Sequence, residues 1–559
     1  MALALTFPAG LAIVFCWLFT SVAPFADCWH WIHIDQSYRL SEISLLKVLF
    51  ITHNAHPYGL PTLIFLLVAD VIAYRFDILA IASTIIIIAN ATIFMALARM
   101  AGIRSFVCVL AIAGLACSLR QDEIFLFGFD FGLALLITFS LLAFLATIFF
   151  LETESATQKL GWGTAVILAA GAAGLCDAAA AGLFPALLLL LVTSRWRPAN
   201  LLLAITICVL CAAWLAYFFN LAMIRPPVSQ IRPPFSEAPL GFVILSGASL
   251  FENRYAAFGS GLVILGAFGW LGLQNWRGNA RARALVSMGI FALGMIATLA
   301  MARGLMGGIN PGRYAILSMP LALSVLMMAA LFIDKGVGRR RYIVGFAAGA
   351  LIAVAYPVSI AVAFKNGIEN RRTDIEHADL LLDYRLESDQ ALAEISRWPA
   401  QTTRNDANFL ERNNYNVFTL EQAYPPERRK IRRELMTVLY ANQPGPGTRM
   451  VHEGLMAHAP KQLKVPSEGY AKLEIAFGVM DDAWQGLGQS TGVCFQVVAD
   501  SAATPLWQRC LDPKSKSTDR GTQAAIVMVP PATKELSLET ACRVTCAWAW
   551  SYWGRISLR

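Results

Sequence analysis

What this 559-residue chain has little of is charge. Asp, Glu, Lys and Arg together make up 15% of it, against about a quarter in a soluble domain. Hydrophobic residues reach 57% and mean hydropathy is +0.56, which excludes a soluble globular protein and requires an integral membrane one. Basic residues are missing from the start: no Lys or Arg precedes Arg39. The first apolar segment therefore has no positively charged n-region, and Phe25-Ala26-Asp27-Cys28 makes a poor cleavage site. The segment reads as a permanent helix rather than a secretory signal. The formal net charge of +8 resides largely in short loops between apolar segments, where it suits anionic lipid head groups; it gives no reason to expect nucleic acid.

What is present is a series of apolar runs of roughly 18 to 25 residues, each enough for a helix to cross a ~30 Å hydrocarbon layer. They fall at 2–22, 78–98, 104–119, 129–151, 161–176, 179–194, 199–222, 258–275, 284–303, 314–333 and 342–364, about eleven helices. With these spans, Arg99, Arg104, Lys159, Arg195, Arg197, Arg277, Arg281, Arg283, Lys335, Arg339, Arg340 and Arg341 all fall on one side. The excess of Lys and Arg marks that side as cytoplasmic. The N-terminus is then inside and the tail outside. This sidedness requires 60–75, apolar but short, to lie as an interfacial helix on the outer face; as a span it would invert everything after it.

The expected organisation is a polytopic helical membrane domain over 1–365 with a first outer loop at 23–77, a mixed, partly helical α/β linker over 366–461, and an antiparallel β-sandwich over 462–559. In the linker, Leu392, Ile395 and Trp398 have helical spacing and Pro399 ends the run. In the tail, short alternating runs at 471–477, 492–498, 506–511, 524–529, 535–538 and 546–558 are divided by Gly, Asp and Pro, the pattern of a sandwich. Alternation along the last run predicts Trp548, Trp550 and Tyr552 on one face and Trp553 on the other. Such aromatics serve either as a platform for sugar rings or as packing between sheets. Cys494, Cys510, Cys542 and Cys546 are an even set on the expected oxidising side. Cys494 with Cys510 and Cys542 with Cys546 are plausible disulfides, other pairings staying open. A four-cysteine zinc site competes, but the tail holds no C-x2-C pair. Cys16, Cys108, Cys117, Cys176, Cys208 and Cys211 read as small buried hydrophobes.

Polar chemistry concentrates in the first outer loop. Four of the seven histidines, His30, His33, His53 and His56, lie there with Asp27 and Asp35. Asp27 or Asp35, ionised at the outer surface, suits a general base towards an acceptor hydroxyl. The pairs His30/His33 and His53/His56 are each three residues apart, so in a helical turn each would share a face and could hold one ligand or one divalent cation such as Mg or Mn. A simpler reading seats these histidines with Trp29, Trp31 and Tyr58 at the membrane interface.

A second polar cluster, Arg120-Gln121-Asp122-Glu123 with Asp130 just beyond, faces the same side. Asp122 and Glu123 form an acceptor or second acidic site, or with Arg120 a plain surface ion pair. Asp177 breaks two short apolar segments, and an ionisable residue at that depth is a functional candidate. Arg225, Arg232, Arg303 and Arg313 are positive on the outer side, against the sidedness rule. Arginine beside a helix end suits a bidentate grip on phosphate, and Arg313 in Gly312-Arg313-Tyr314 is the preferred ligand.

Taken together, the acidic first outer loop with an interfacial helix, the second acidic pair, the arginine beside a late helix and the β-rich tail resemble the GT-C membrane glycosyltransferases. The stretch 53–70 is similar to the H-N-E-H, Pro and L-L-D pattern of bacterial proteins of this type, and Gly312-Arg313-Tyr314 is similar to their G-R-Y. Gly478, Gly492-Val493, Asp512-Pro513, Asp519-Arg520-Gly521 and Trp550 resemble their carbohydrate-binding-module-like tail. One position departs: Ala55 stands where the pattern has glutamate, and if that glutamate is the base, this chain has lost it or uses Asp27 or Asp35 instead. The resemblance implies inverting transfer of a sugar from a polyprenyl-phosphate donor to a glycan or lipid acceptor at the outer face of a bacterial cytoplasmic membrane. His53, His56 and Arg313 would surround the donor phosphate. Two other classes compete: a transporter or flippase of a lipid-linked saccharide, and a non-catalytic assembly protein that holds glycan on its tail. Charges clustered at helix ends rather than along a pathway favour surface chemistry.

Overall fold

The computed structural model describes residues 2–53, 56–194, 197–224, 235–303, 312–335, 339–382, 384, 387, 389–423, 448–451, 454–485, 488–500, 502 and 504–558. The chain divides into two compact units, Met1–Ile375 and Glu376–Arg559.

The first unit begins with α1 (Ala2–Phe19), then makes an excursion through α2 (Cys28–Arg39), α3 (Leu45–Leu49), the two-residue strands β1 (Thr52–His53) and β2 (His56–Pro57), and α4 (Gly59–Val68). The bundle resumes with α5 (Phe76–Ala101), α6 (Phe106–Ala116), the short α7 (Asp122–Leu126), α8 (Phe131–Glu152), α9 (Ala156–Gly174), α10 (Leu183–Val192) and α11 (Pro198–Ile224). It closes with α12 (Ala238–Gly247), α13 (Arg254–Trp276), α14 (Ala280–Arg303), α15 (Gly312–Lys335) and α16 (Arg339–Leu382). Local signals set several ends. Gly102 takes a positive φ of 105° and donates its N–H to Arg99, closing α5. The Asn253 side chain accepts from the N–H groups of Tyr255 and Ala256, opening α13.

Among the described residues, seven helices are long and apolar enough to cross a membrane: α5, α8 with its preceding turn, α11, α13, α14, α15 and α16. Their outward faces are apolar too, as at Leu202, Val209 and Leu273, the all-round hydrophobicity of helices immersed in lipid. The expected spans at 2–22, 104–119, 161–176 and 179–194 fall instead on the shorter or less apolar α1, α6, α9 and α10, of 18, 11, 19 and 10 residues. Helix α12 was not expected, because ten residues reach only about 15 Å and give no spanning signal. It packs on α13 with backbone against backbone: a Cβ at Gly261 would sit 2.0 Å from the Val243 carbonyl oxygen.

Hydrogen bonds identify the two ends of the bundle. Arg281 opens α14 and grips Glu152, the last residue of α8, through Nε at 2.7 Å and Nη2 at 2.8 Å, while its Nη1 donates to Met100 at the end of α5. Arg197, just before α11, grips Glu154, just after α8. At the other end α5, α8 and α15 begin. There Ser21 donates its N–H to Leu126, and Gly312 donates to Glu123.

The excursion between α1 and α5 sits at this second end around Trp31, which is fully buried. Its ring stacks on Phe65 at 4.8 Å and meets Phe129 at 4.7 Å, and its N–H donates to Thr62. Helix α4 stops at Val68, well short of the expected 60–75, because Ala73 and Tyr74 adopt positive φ and turn the chain back into α5.

The second unit carries α17 (Asp389–Ser396), with Leu392 and Ile395 buried, and α18 (Ala400–Arg412), which starts after Pro399. An antiparallel sandwich follows. One sheet runs β3 (Thr448–Val451), β4 (Gly454–His458), β11 (Trp550–Leu558), β6 (Lys472–Val479), β9 (Gln523–Met528); the other runs β5 (Lys461–Pro466), β10 (Glu535–Cys542), β7 (Val493–Ala499), β8 (Trp507–Leu511). Phe477, Phe495 and Trp553 interlock between them. The sandwich thus starts before residue 462, since β3 and β4 extend the sheet of β11. Cys494 faces Cys510 across β7 and β8 in a disulfide, and a second disulfide joins Cys542 to Cys546.

Candidate functional site

The polar first loop is organised by a pair of short antiparallel strands. His53 in β1 and His56 in β2 stand opposite each other as a bridge pair, and the N–H of Tyr58 donates to Ile51 behind them. The two rings therefore come together for a different reason from the one expected: they are partners across two antiparallel strands. Each histidine has a carboxylate. His53 Nε2 lies 3.2 Å from Asp27 Oδ1, and Asp27 immediately precedes α2; His56 Nδ1 lies 3.1 Å from Asp177 Oδ2. Asp177 is fixed independently, because its other oxygen accepts from the Ala179 N–H at the start of a 3-10 turn. His30, on the first turn of α2, brings its ring to 4.8 Å from that of His53.

Aromatic rings form the floor. Tyr58 stacks on Phe129 at 4.7 Å and donates its hydroxyl to the Phe129 carbonyl, while His53 stands edge-on to Phe129 at 4.9 Å. Burial drives the Tyr58 hydroxyl pKa well above its ordinary value, and the carboxylates of Asp130, Asp177 and Asp27 raise it further. This phenol remains a proton donor at any physiological pH. Room for its ring comes from Gly132, where a Cβ would approach the Tyr58 ring to 2.7 Å.

The other side of the site is built on α7 and the start of α15. Glu123 accepts from the Gly312 N–H at 2.9 Å and from Arg313 Nη1 at 3.2 Å, so it orients the guanidinium. Asp122 turns inward and is 3% exposed. Burial pushes its pKa up to about 6, opposed by the Asn366 amide that donates to it at 2.7 Å and by Arg120 at 3.9 Å. Gly312 packs directly on this carboxylate: a Cβ there would lie 1.8 Å from Asp122 Oδ1. Asp130 is buried at the start of α8.

Of the residues singled out in sequence, Asp27, His30, His53 and His56 meet directly, and Glu123 meets Arg313. Asp35 does not join them. It is 1% exposed, receives Arg39 Nε at 2.5 Å and the Tyr74 hydroxyl, and belongs to the join between α2 and the turn before α5. His33 follows His30 by one turn on α2 and is half-buried. Ala55, Arg225, Arg232 and the side chain of Arg303 lie outside the described residues. Asp177, an ionisable residue between apolar runs, and His56 each carried a sequence signal, but their pairing did not. Phe129 and Gly132 carried none, since an aromatic and a glycine in an apolar run are ordinary. Among the described residues, no three His, Cys, Asp or Glu side chains are grouped so that they could hold a metal ion.

In the tail, Trp548 precedes β11 with a positive φ, and its ring lies 4.9 Å from that of Trp550, both half-buried. Tyr552 is buried, with its hydroxyl 2.8 Å from that of Thr522. The expected three-ring face is therefore a two-ring one, because Tyr552 is covered by Gly478 and Thr522.

No family model and no curated protein matches the chain. Among solved structures it is similar to the Archaeoglobus fulgidus oligosaccharyltransferase in complex with Zn and sulfate, with 14% identity over 64% of this chain and 53% of that one and a TM-score of 0.39. For the apo form the values are 12%, 64%, 55% and 0.35. It is also similar to the CBM51-2 and INT domains of Clostridium perfringens ZmpB in complex with GlcNAc, with 15% identity over 21% of this chain and 25% of that one and a TM-score of 0.16. The chain spans about half the length of the oligosaccharyltransferase chain and about a quarter of the ZmpB one. Scores this low assign neither fold nor activity.

Proposed function

We propose that this protein is a membrane glycosyltransferase that moves a sugar from a polyprenyl-phosphate donor to an acceptor hydroxyl on a glycan or lipid. The observation that carries the reading is the presence, at one end of an apolar bundle, of a histidine-held carboxylate (Asp27 with His53, 3.2 Å) and a carboxylate-held cation (Arg313 with Glu123, 3.2 Å). The motif resemblance in the first loop and at Gly312-Arg313-Tyr314 points the same way.

In the reaction, the acceptor hydroxyl gives its proton to Asp27 as its oxygen bonds to the anomeric carbon. The bond from that carbon to the donor phosphate breaks in the same displacement, inverting the configuration, and polyprenyl phosphate leaves with the electron pair. His53 donates to one oxygen of Asp27 and fixes the carboxylate's direction. Arg313, held by Glu123, neutralises the charge growing on the departing phosphate. His56, with its Nδ1 3.1 Å from Asp177 Oδ2, is placed to donate from Nε2 to the same phosphate when protonated. The donor's hydrocarbon chain stays in the bilayer beside the helices. Sidedness follows from the basic loops: N-terminus cytoplasmic, site and tail at the outer face of a bacterial cytoplasmic membrane. The Trp548 and Trp550 pair is assigned to contact with glycan.

The test is transfer by the reconstituted full chain from polyprenyl-phosphate-linked sugars to glycan and lipid acceptors. Asp27→Asn is expected to lower the turnover about 10²–10⁴-fold, the range for removing a general base, with donor affinity unchanged. Undiminished transfer by this variant would overturn the assignment of Asp27. Movement of intact donor across the membrane, with no glycosidic bond made, would establish the flippase reading instead.

A further inference from the structure

At the end of the bundle opposite the site, α8 and α9 enclose a groove of about 700 Å³. Its wall changes character along its length. Phe149 and Trp162 stack at 4.8 Å, and with Ala165 they make one part apolar; Glu152, Thr153 and Gln158 line the rest, where α8 ends and α9 begins. We propose that this groove seats a single bilayer phospholipid with an ammonium head group.

The occupant follows from the surroundings. Helix α8 is long and apolar enough to cross the membrane, so a groove on its flank opens to lipid rather than water, and the passage from Phe149 to Glu152 within one turn marks the level where acyl chains give way to head groups. Trp162, an aromatic residue at that level and 38% exposed, suits the interface. The polar part presents acceptors. Glu152 is a carboxylate about a third exposed, and the Gln158 side-chain carbonyl is already aligned by the Thr153 hydroxyl that donates to it at 2.6 Å. An ammonium group has three N–H donors and no acceptor, which matches this set. Arg281, gripping Glu152 through Nε and Nη2, puts a positive charge beside the carboxylate where the lipid phosphate would lie. A head group without the ammonium leaves the Glu152 and Gln158 acceptors without that donor. The groove is remote from the Asp27 and Arg313 cluster because α8 runs 22 residues between them, about 33 Å of helix. The assignment therefore rests on the spanning of α8 and not on the catalytic reading.

Native mass spectrometry of the full chain in detergent, titrated separately with phosphatidylethanolamine and phosphatidylglycerol, tests it. One phosphatidylethanolamine should bind per chain, and Trp162→Ala and Glu152→Gln should each weaken that binding about tenfold. Gln158→Ala, on the exposed side of α9, supplies a third variant that leaves the helix contacts in place, and a melting curve for each variant checks its fold. Equal phosphatidylethanolamine binding by the wild type and the folded variants would overturn the proposal. So would phosphatidylglycerol binding as tightly as phosphatidylethanolamine.

Discussion

Asp27 and Asp35 are the same chemical group eight positions along one loop, yet their surroundings predict opposite failures when each is replaced by asparagine. Asp35 is 1% exposed and holds the Arg39 guanidinium and the Tyr74 hydroxyl together. Removing its charge forfeits hydrogen bonds of the charge-assisted kind, each worth about 1.5–3 kcal/mol. Stranding a fully buried partner would cost about 3–5 kcal/mol. Arg39 is not stranded: its side chain is 37% exposed and keeps Asp70 at 2.8 Å. The expected cost of Asp35→Asn is therefore about 2–3 kcal/mol, with Tyr74→Phe about 1 kcal/mol in the same direction. The chain has two units and need not unfold in one step, so the assay is the melting temperature of the first transition in detergent, compared across wild type, Asp35→Asn, Tyr74→Phe and Asp27→Asn. Asp35→Asn should melt several degrees lower while the folded fraction keeps its transfer activity. Asp27→Asn should melt near the wild type and lose activity. An Asp35→Asn protein with an unchanged melting temperature and no transfer would refute the reasoning, because it would make Asp35 a reacting group rather than a fastening.

Two further predictions follow from the α7 side of the site. The Asp122 carboxyl is pushed up to about 6 from an ordinary 3.8 by burial, so folding favours its protonated form. Its contribution to stability is fully present below about pH 4 and is lost as pH rises through about 6, a change of about 3 kcal/mol; Asp122→Asn should flatten the melting temperature across that window, and an equal slope in both proteins would refute the assignment. Gly312→Ala sets a methyl where Asp122 Oδ1 now lies, 1.8 Å from the ideal Cβ position. Such overpacking costs about 1–3 kcal/mol and should raise the donor KM by displacing Arg313, both measurable by melting and by steady-state transfer.

Apolar length alone located α5, α8, α11, α13, α14 and α15, because a helix that must satisfy its backbone in hydrocarbon needs a long run of apolar side chains and leaves that run in plain view. Period-two alternation located β6, β7, β8, β9 and β10 for the matching reason. Short elements escaped: α12 is too brief to signal a span, β4 finds its place only by pairing with β11, far along the chain, and β3 joins by pairing with β4. The strand pairing that opposes His53 and His56 is likewise invisible in a spacing of three, which fits a helical turn equally well.

Composition and pattern determined that this protein lies in a membrane, that it carries a β-rich tail, and that its polar chemistry gathers in the first loop and near Arg313. Only the tertiary structure decided which members of that chemistry meet. Glu123 reaches Arg313 across 190 positions, His56 takes its carboxylate from Asp177, and Asp35 is claimed by Tyr74 and Arg39 while Asp27 is left to His53. The physical reason is that a carboxylate's role is set by what packing brings within about 3 Å of it, and packing joins residues by their place in space rather than by their order along the chain.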